Sequence, residues 1–258
     1  MWIVRNYGLT LKGRDKDMTE KQAHIQLDSS INVQKAILVG DPARVDKVGE
    51  LMENLQPLAY NREFKSIKGS YQGEEILVIS TGIGAPSAAI AMEELHNIGI
   101  TTVIRVGSCG AMQKNIPLGS LIIATGTVRD DGLSSRYVPA IYPAIPDADL
   151  LQLAKKHYPE GYFGITRAHD GFYMESNDAT EQEWSQYGVL GGDMETSIIF
   201  VLGTLRKMRT LSILNNVVLY RADLSAGVNH LVSGENTVAQ GERASIQLAL
   251  TILRQQED

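Results

Sequence analysis

Three short apolar runs each end in a glycine turn, the first two leading into a helical pattern, and this repetition constrains the fold more than any other feature. AILVG at 36–40 ends in Gly40-Asp41-Pro42, followed by Val45, Val48, Leu51 and Met52 at helical spacing. EEILVISTG at 74–82 meets Gly82-Ile83-Gly84-Ala85-Pro86-Ser87 and then a small-residue helix that closes on Gly99. TTVIRVG at 101–107 is rich in β-branched residues and runs into Ser108-Cys109-Gly110. Strands alternating with helices predict an α/β fold, a mixed, mostly parallel twisted sheet flanked by helices. The carboxyl ends of parallel strands share one edge, so the three turns are expected to converge on one crevice.

The second half continues the alternation. A fourth strand is predicted within 118–132, a helix over 147–157 with Asp147 as N-cap, and a strand running into a loop over 163–174. A short helix follows at 180–187, and Asp193-Met194-Glu195 stands just ahead of a hydrophobic helix. Then come a strand at 211–223, a Gly/Asn/Ser-rich loop at 224–236 and a last helix at 237–255. No repeat, low-complexity tract or linker interrupts this pattern, and 258 residues suffice for one domain with a sizeable core. Residues 1–17 show no periodicity and are expected to form an N-terminal extension, with Met18 a candidate alternative start and 18–258 the single domain.

Charge and cysteine content narrow the function. Thirty Asp and Glu against 24 Lys and Arg, a net charge of −6, leave no basic reserve for a phosphate backbone, so no nucleic-acid partner is expected. One cysteine makes neither an internal disulfide nor a Cys-based zinc site, which reads as cytoplasmic. The N-terminus lacks a signal-peptide apolar core, and no run approaches the roughly 20 apolar residues that span a bilayer. A small-molecule partner is expected instead.

The glycine turns offer backbone N–H groups, the Ser108 hydroxyl and the guanidinium groups of Arg44 and Arg105, a set that suits a phosphate oxyanion. Arg105 is the sharpest signal. Between Ile104 and Val106 in a buried strand, it must meet an internal carboxylate or an anionic ligand. GxxxxGK[ST] does not occur, and Gly82-Ile83-Gly84 lacks the third glycine of a dinucleotide fingerprint, so free phosphate fits better than ATP or NAD. Cys109 reads as a small buried residue, and His96 and His157 as structural. His169-Asp170 has no accompanying nucleophile motif and reads as loop or pocket wall.

GDPARV at 40–45, REF at 62–64, STGIGAPS at 80–87, RVGSCGAM at 105–112 and DMETS at 193–197 together resemble the nucleoside phosphorylases of the purine-nucleoside and uridine phosphorylase superfamily. The likeness runs from about His24 to the C-terminus and is closest to bacterial uridine phosphorylase in wording. It implies a single α/β domain with a partly barrel-like sheet, and cleavage of a nucleoside by inorganic phosphate to free base and (deoxy)ribose 1-phosphate. Phosphate would be a co-substrate, with no cofactor. By resemblance, Gly40, Arg44, Arg105 and Ser108 would bind phosphate, joined by Arg62 from a neighbouring subunit. Met194 and Glu195 would bind ribose, Glu195 as the catalytic carboxylate; His24, lent by the neighbour, would meet the 5′-hydroxyl and Phe172 would pack on the nucleoside. Glu63, Ile83 and Ser87 match positions that hold a monovalent cation such as K⁺ in some relatives. Sites shared in this way imply a homodimer, or dimers gathered into a hexamer.

One motif departs from the resemblance. Uridine phosphorylases carry Gln-x-Arg shortly after Phe-Tyr to hold the pyrimidine, whereas Phe172-Tyr173 is followed here by Met174-Glu175-Ser176-Asn177-Asp178. Arg221 falls where the uridine enzymes have an arginine, and Asp223 where the purine enzymes have an acid; either would assist the leaving base. Purine phosphorolysis, a phosphate-independent nucleosidase and a non-catalytic nucleoside-binding relative therefore stand as alternatives.

Overall fold

The computed structural model describes residues 20–222 and 236–254. The extension at 1–17, Asp223 and nearly all of the 224–236 loop lie outside the described residues.

The predicted strand–turn–helix units form as read. β1 (Lys35–Val39) leads through Gly40 to Asp41, whose side chain accepts from the Ala43 N–H and so caps α1 (Pro42–Gly49), with proline in the first turn where its missing donor costs nothing. β4 (Glu74–Ser80) leads into α2 (Ala85–Asn97), and β5 (Thr102–Ala111) follows. β6 (Leu121–Asp130) is followed by one helical turn, α3 (Ser134–Tyr137). In α4 (Ala148–His157) the predicted cap is present, Asp147 accepting from the N–H groups of Asp149 and Leu150. β7 (Tyr162–His169), α5 (Asn177–Gln186), α6 (Thr196–Arg206), β9 (Arg209–Val218) and α7 (Asn236–Leu253) complete the expected series.

Three strands were not anticipated. β2 (Glu53–Asn61) and β3 (Phe64–Tyr71) form an antiparallel hairpin, and β8 (Gly191–Asp193) is only three residues long. β2 lies at the sheet edge, mostly exposed and interrupted by Pro57, so it lacks the apolar alternation that marks a half-buried strand.

All nine strands share one mixed sheet in the order β2-β3-β4-β1-β5-β8-β7-β6-β9, and β9 also pairs back onto β5. The strands β5, β8, β7, β6 and β9 thus close into a barrel, from which β1 to β4 extend as an open wing. Pairings β1–β4, β1–β5, β5–β9, β6–β7 and β7–β8 are parallel, and the other four are antiparallel. Bulges at Cys109/Gly110 and Ala124/Gly126 supply the local bending that closure requires. Alternate residues of β1 serve opposite faces: Ala36 and Leu38 pack with α2 and α6, Ile37 and Val39 with α1, α4 and α7.

Candidate active site

The turns after β1 and β4 meet as predicted, whereas Gly107-Ser108-Cys109-Gly110, read as a third turn, lies inside β5, which continues to Ala111 as it pairs with β9. The Thr81 N–H donates to the Val39 carbonyl at 2.8 Å and the Gly82 N–H to the Gly40 carbonyl at 2.9 Å, so the parallel ladder continues into the turns. Gly84 has φ +99°, a conformation natural to glycine, and its N–H donates to Glu195 Oε1 at 2.6 Å. A carboxylate from the start of α6 is thereby fixed against the turn before α2.

Arg105 stands at the centre. Its Nε donates to Asp193 Oδ2 at 3.0 Å and its Nη2 to Glu195 Oε2 in a short ion pair, all three side chains being buried. Asp193 Oδ2 also accepts from the Thr196 hydroxyl at 2.6 Å and the Thr196 N–H at 3.1 Å. Arg105 Nη1 and Asp193 Oδ1 are buried with no hydrogen-bond partner among the described residues. Burial alone would lower the Arg105 pKa, but Glu195 and Asp193 more than reverse it, so the guanidinium stays charged. Burial pushes the Glu195 carboxyl up, more than Arg105 pulls it down, and Asp193 adds to the rise.

Arg44, buried on α1, donates from Nε to Glu242 Oε1 of α7 at 2.6 Å, from Nη1 to the Val106 carbonyl at 3.2 Å, and from Nη2 to Ser108 Oγ at 3.0 Å. Glu242 also accepts from Lys47 Nζ at 2.6 Å. Gly40, Arg44, Arg105 and Ser108 thus lie about the level at which β1 ends beside β5, and Glu195 reaches Arg105 there.

Residues 34–253 match the family model described as Phosphorylase superfamily. The chain belongs to this superfamily. Among solved structures, the family fold recurs in a uridine phosphorylase from Vibrio fischeri ES114, 45% identical, with a TM-score of 0.84 over 91% of this chain and 96% of that one. A guanosine phosphorylase from Halorubrum lacusprofundi is 37% identical over 193 residues, 73% of this chain and 80% of its own length. A uridine phosphorylase from Treponema pallidum is 36% identical over 211 residues, 76% of this chain and 81% of its own.

The other family-matched positions are spread over several elements. Met194 is half-buried between Asp193 and Glu195. Phe172, past the end of β7, stacks edge-on against Tyr173 with ring centroids 4.8 Å apart, and its carbonyl accepts from Asn177 Nδ2 at 2.6 Å. Arg62 occupies the tip of the β2–β3 hairpin with φ +54°, exposed and without a hydrogen bond to any described residue. His24 sits near that tip, its carbonyl accepting from Asn61 Nδ2 at 2.8 Å. Glu63 Oε1 accepts from the Ser87 hydroxyl at 2.9 Å, whereas the Ile83 side chain points to solvent. Arg221, in a turn after β9 with φ +62°, is exposed. Cys109 is buried as expected, and burial pushes its thiol far up, out of nucleophilic range.

The structure adds supports that sequence reading missed. Glu242 anchors Arg44 and Asp193 anchors Arg105. Buried Glu94 of α2 accepts from the N–H groups of His24 and Ile25 and holds His24 Nδ1 at 2.7 Å, which leaves the far side of that ring outward. None of these carboxylates lies near its partner in the chain, so no spacing marks it. The one signal was indirect: a buried arginine needs an anion.

Proposed function

We propose that the chain is a nucleoside phosphorylase, a pentosyltransferase favouring uridine-like nucleosides, with inorganic phosphate as co-substrate. The observation that carries this reading is Arg105, buried, oriented by two carboxylates and left with one unpartnered guanidinium nitrogen, on the strand whose Ser108 hydroxyl accepts from Arg44. A phosphate dianion there would take hydrogen bonds from Arg44, Arg105, Ser108 and the Gly40 region, with Arg62 reaching in from a second copy. As the C1′–N bond breaks, the sugar gains positive charge; phosphate on one face and Glu195 at the ribose hydroxyls stabilise it, and a phosphate oxygen forms the new bond to C1′. Met194 lines the ribose, Phe172 packs on the nucleoside, and His24 from the neighbour holds the 5′-hydroxyl. The electron pair of the broken bond leaves with the base, where Arg221 or Asp223 would donate. Glu63, Ser87 and the Ile83 backbone offer oxygen donors of the kind a hard monovalent cation such as K⁺ takes. The assembly is a homodimer, or dimers gathered into a hexamer, and the compartment is the cytoplasm. Among the described residues no helix is long and apolar enough to cross a membrane.

Base release from uridine, thymidine, inosine, adenosine and guanosine, with and without phosphate, tests this reading. Release that requires phosphate and yields a sugar 1-phosphate is the expected result, and Arg105→Ala should lower it on the order of 10²- to 10³-fold. Equal release without phosphate would make the chain a nucleosidase, and tight binding without turnover a binding relative. The guanosine phosphorylase relative and the absent Gln-x-Arg favour a second reading, purine phosphorolysis. The same five nucleosides decide between the two.

A further inference from the structure

With Gln-x-Arg missing from residues 174–178, the base lacks the polar clamp expected beside Phe172. His169 closes β7, next to Ala168, which pairs with Asp193 across the β7–β8 ladder. The ring is half-buried, and Nε2 lies 3.6 Å from where a Cβ on Gly192 would stand, one residue before Asp193-Met194-Glu195. Nδ1 is buried and meets no hydrogen-bond partner of normal geometry among the described residues, the Gly171 backbone being the polar group that acts on the ring from nearby. A buried polar atom left in that state destabilises the fold, and a ligand is one way to recover the loss. Of the described neighbouring polar groups, Asp193 Oδ1 alone shares this state, and the others are committed. Arg167 is bound to Asp130 at 2.6 and 2.7 Å, Asp170 Oδ2 accepts from the Gly132 N–H at 2.7 Å, and Asp193 Oδ2 holds Arg105 and Thr196. Phe172, the aromatic expected against the nucleoside, comes three residues later.

We infer that His169 reads the nucleobase, its imidazole N–H donating to a carbonyl oxygen of the base in place of the missing clamp. This rests on the phosphorylase reading given above. Burial, and then the Arg167 charge, push the His169 pKa down, so the ring is neutral near pH 7 and can enter a site with an uncharged ligand. Negative charge collects on the carbonyl oxygens as the base departs, so this hydrogen bond strengthens toward the transition state. The class served is the oxo-bases uracil, thymine, hypoxanthine and guanine; adenine carries no carbonyl.

His169→Leu and His169→Gln test the inference, folding being checked by circular dichroism. For the best oxo-base nucleoside, His169→Leu should lower kcat/KM roughly tenfold to a hundredfold with the phosphate KM within about twofold, and His169→Gln, which keeps a donor, should recover most of the loss. The thermal shift given by the corresponding free base with phosphate present should vanish in His169→Leu and persist in His169→Gln. Unchanged kcat/KM and thermal shift in both variants overturn the inference, as does a phosphate KM that rises in step with the nucleoside KM. A wild-type chain that releases no base from any nucleoside overturns the phosphorylase reading itself, and this inference with it.

Discussion

A methyl group added at Gly107 would stand 2.6 Å from Arg105 Nη2 and 2.8 Å from Leu214 Cδ2, too close for either to stay in place. The guanidinium folds back over its own strand, and the glycine two residues on leaves the space it fills. Gly107→Ala should therefore mimic partial loss of Arg105: a folded chain, destabilised by about 1–3 kcal/mol, whose phosphate KM rises at least tenfold. Steady-state kinetics at varied phosphate alongside a thermal melt check this; an unchanged phosphate KM would separate Gly107 from the site. Arg105 was legible in the sequence because a charge amid β-branched neighbours is anomalous on its face. Its partners were not, since Asp193 and Glu195 are 88 and 90 residues away and only the fold brings them to it.

At the level of elements, α1 and α7 are tied through the Arg44–Glu242–Lys47 group, although α7 comes about 190 residues later in the chain. Burial would raise the Glu242 carboxyl, but Arg44 and Lys47 outweigh it and hold its pKa below the ordinary value of 4.5. A carboxylate depressed in the folded state contributes stability that is complete above its unfolded pKa and fades as pH falls through the folded one. Glu242→Ala should cost roughly 3–5 kcal/mol at pH 7, because Arg44 is left buried without its anion. The gap from wild type should narrow below pH 4.5, which denaturant unfolding at pH 7, 5 and 4 would measure. Elements with strong periodicity or caps, such as α4 under Asp147 and the buried β1, β4 and β5, were readable. The β2–β3 hairpin and β8 were not: one strand is polar and exposed at an edge, and the other is three residues that sit between Cys109, Gly110 and Met112 only because the barrel closes there.

For the whole molecule, barrel and wing carry different parts of the proposed site. Arg105 and Glu195 belong to strand and helix at the barrel, whereas Arg62 and His24 gather at the far tip of the wing, beyond β4 and β3 from β1. A site shared between two copies has a direct test. Arg62→Ala and Glu195→Gln chains, each inactive alone, should regain about a quarter of wild-type activity when unfolded and reassembled in equal amounts, because half of randomly paired dimers hold one intact site. No recovery, in material shown to have exchanged subunits, would place both residues in one chain's site. The parallel barrel half and its crevice followed from the strand–helix alternation; the place of Arg62 on the wing did not, because the exposed edge strand β2 that leads to it carries no apolar alternation.

The ion pairs in the crevice also determine how an anion arrives. Within one chain, Arg44, Lys47 and Arg105 are matched by Glu242, Asp193 and Glu195, so the pocket floor sums to zero, inside a chain whose net charge is −6. Phosphate diffusing toward such a surface gains no long-range pull. Its capture depends on the last few ångströms, where directed N–H and O–H groups replace its hydration shell, and a neutral nucleoside meets the same floor without an opposing field.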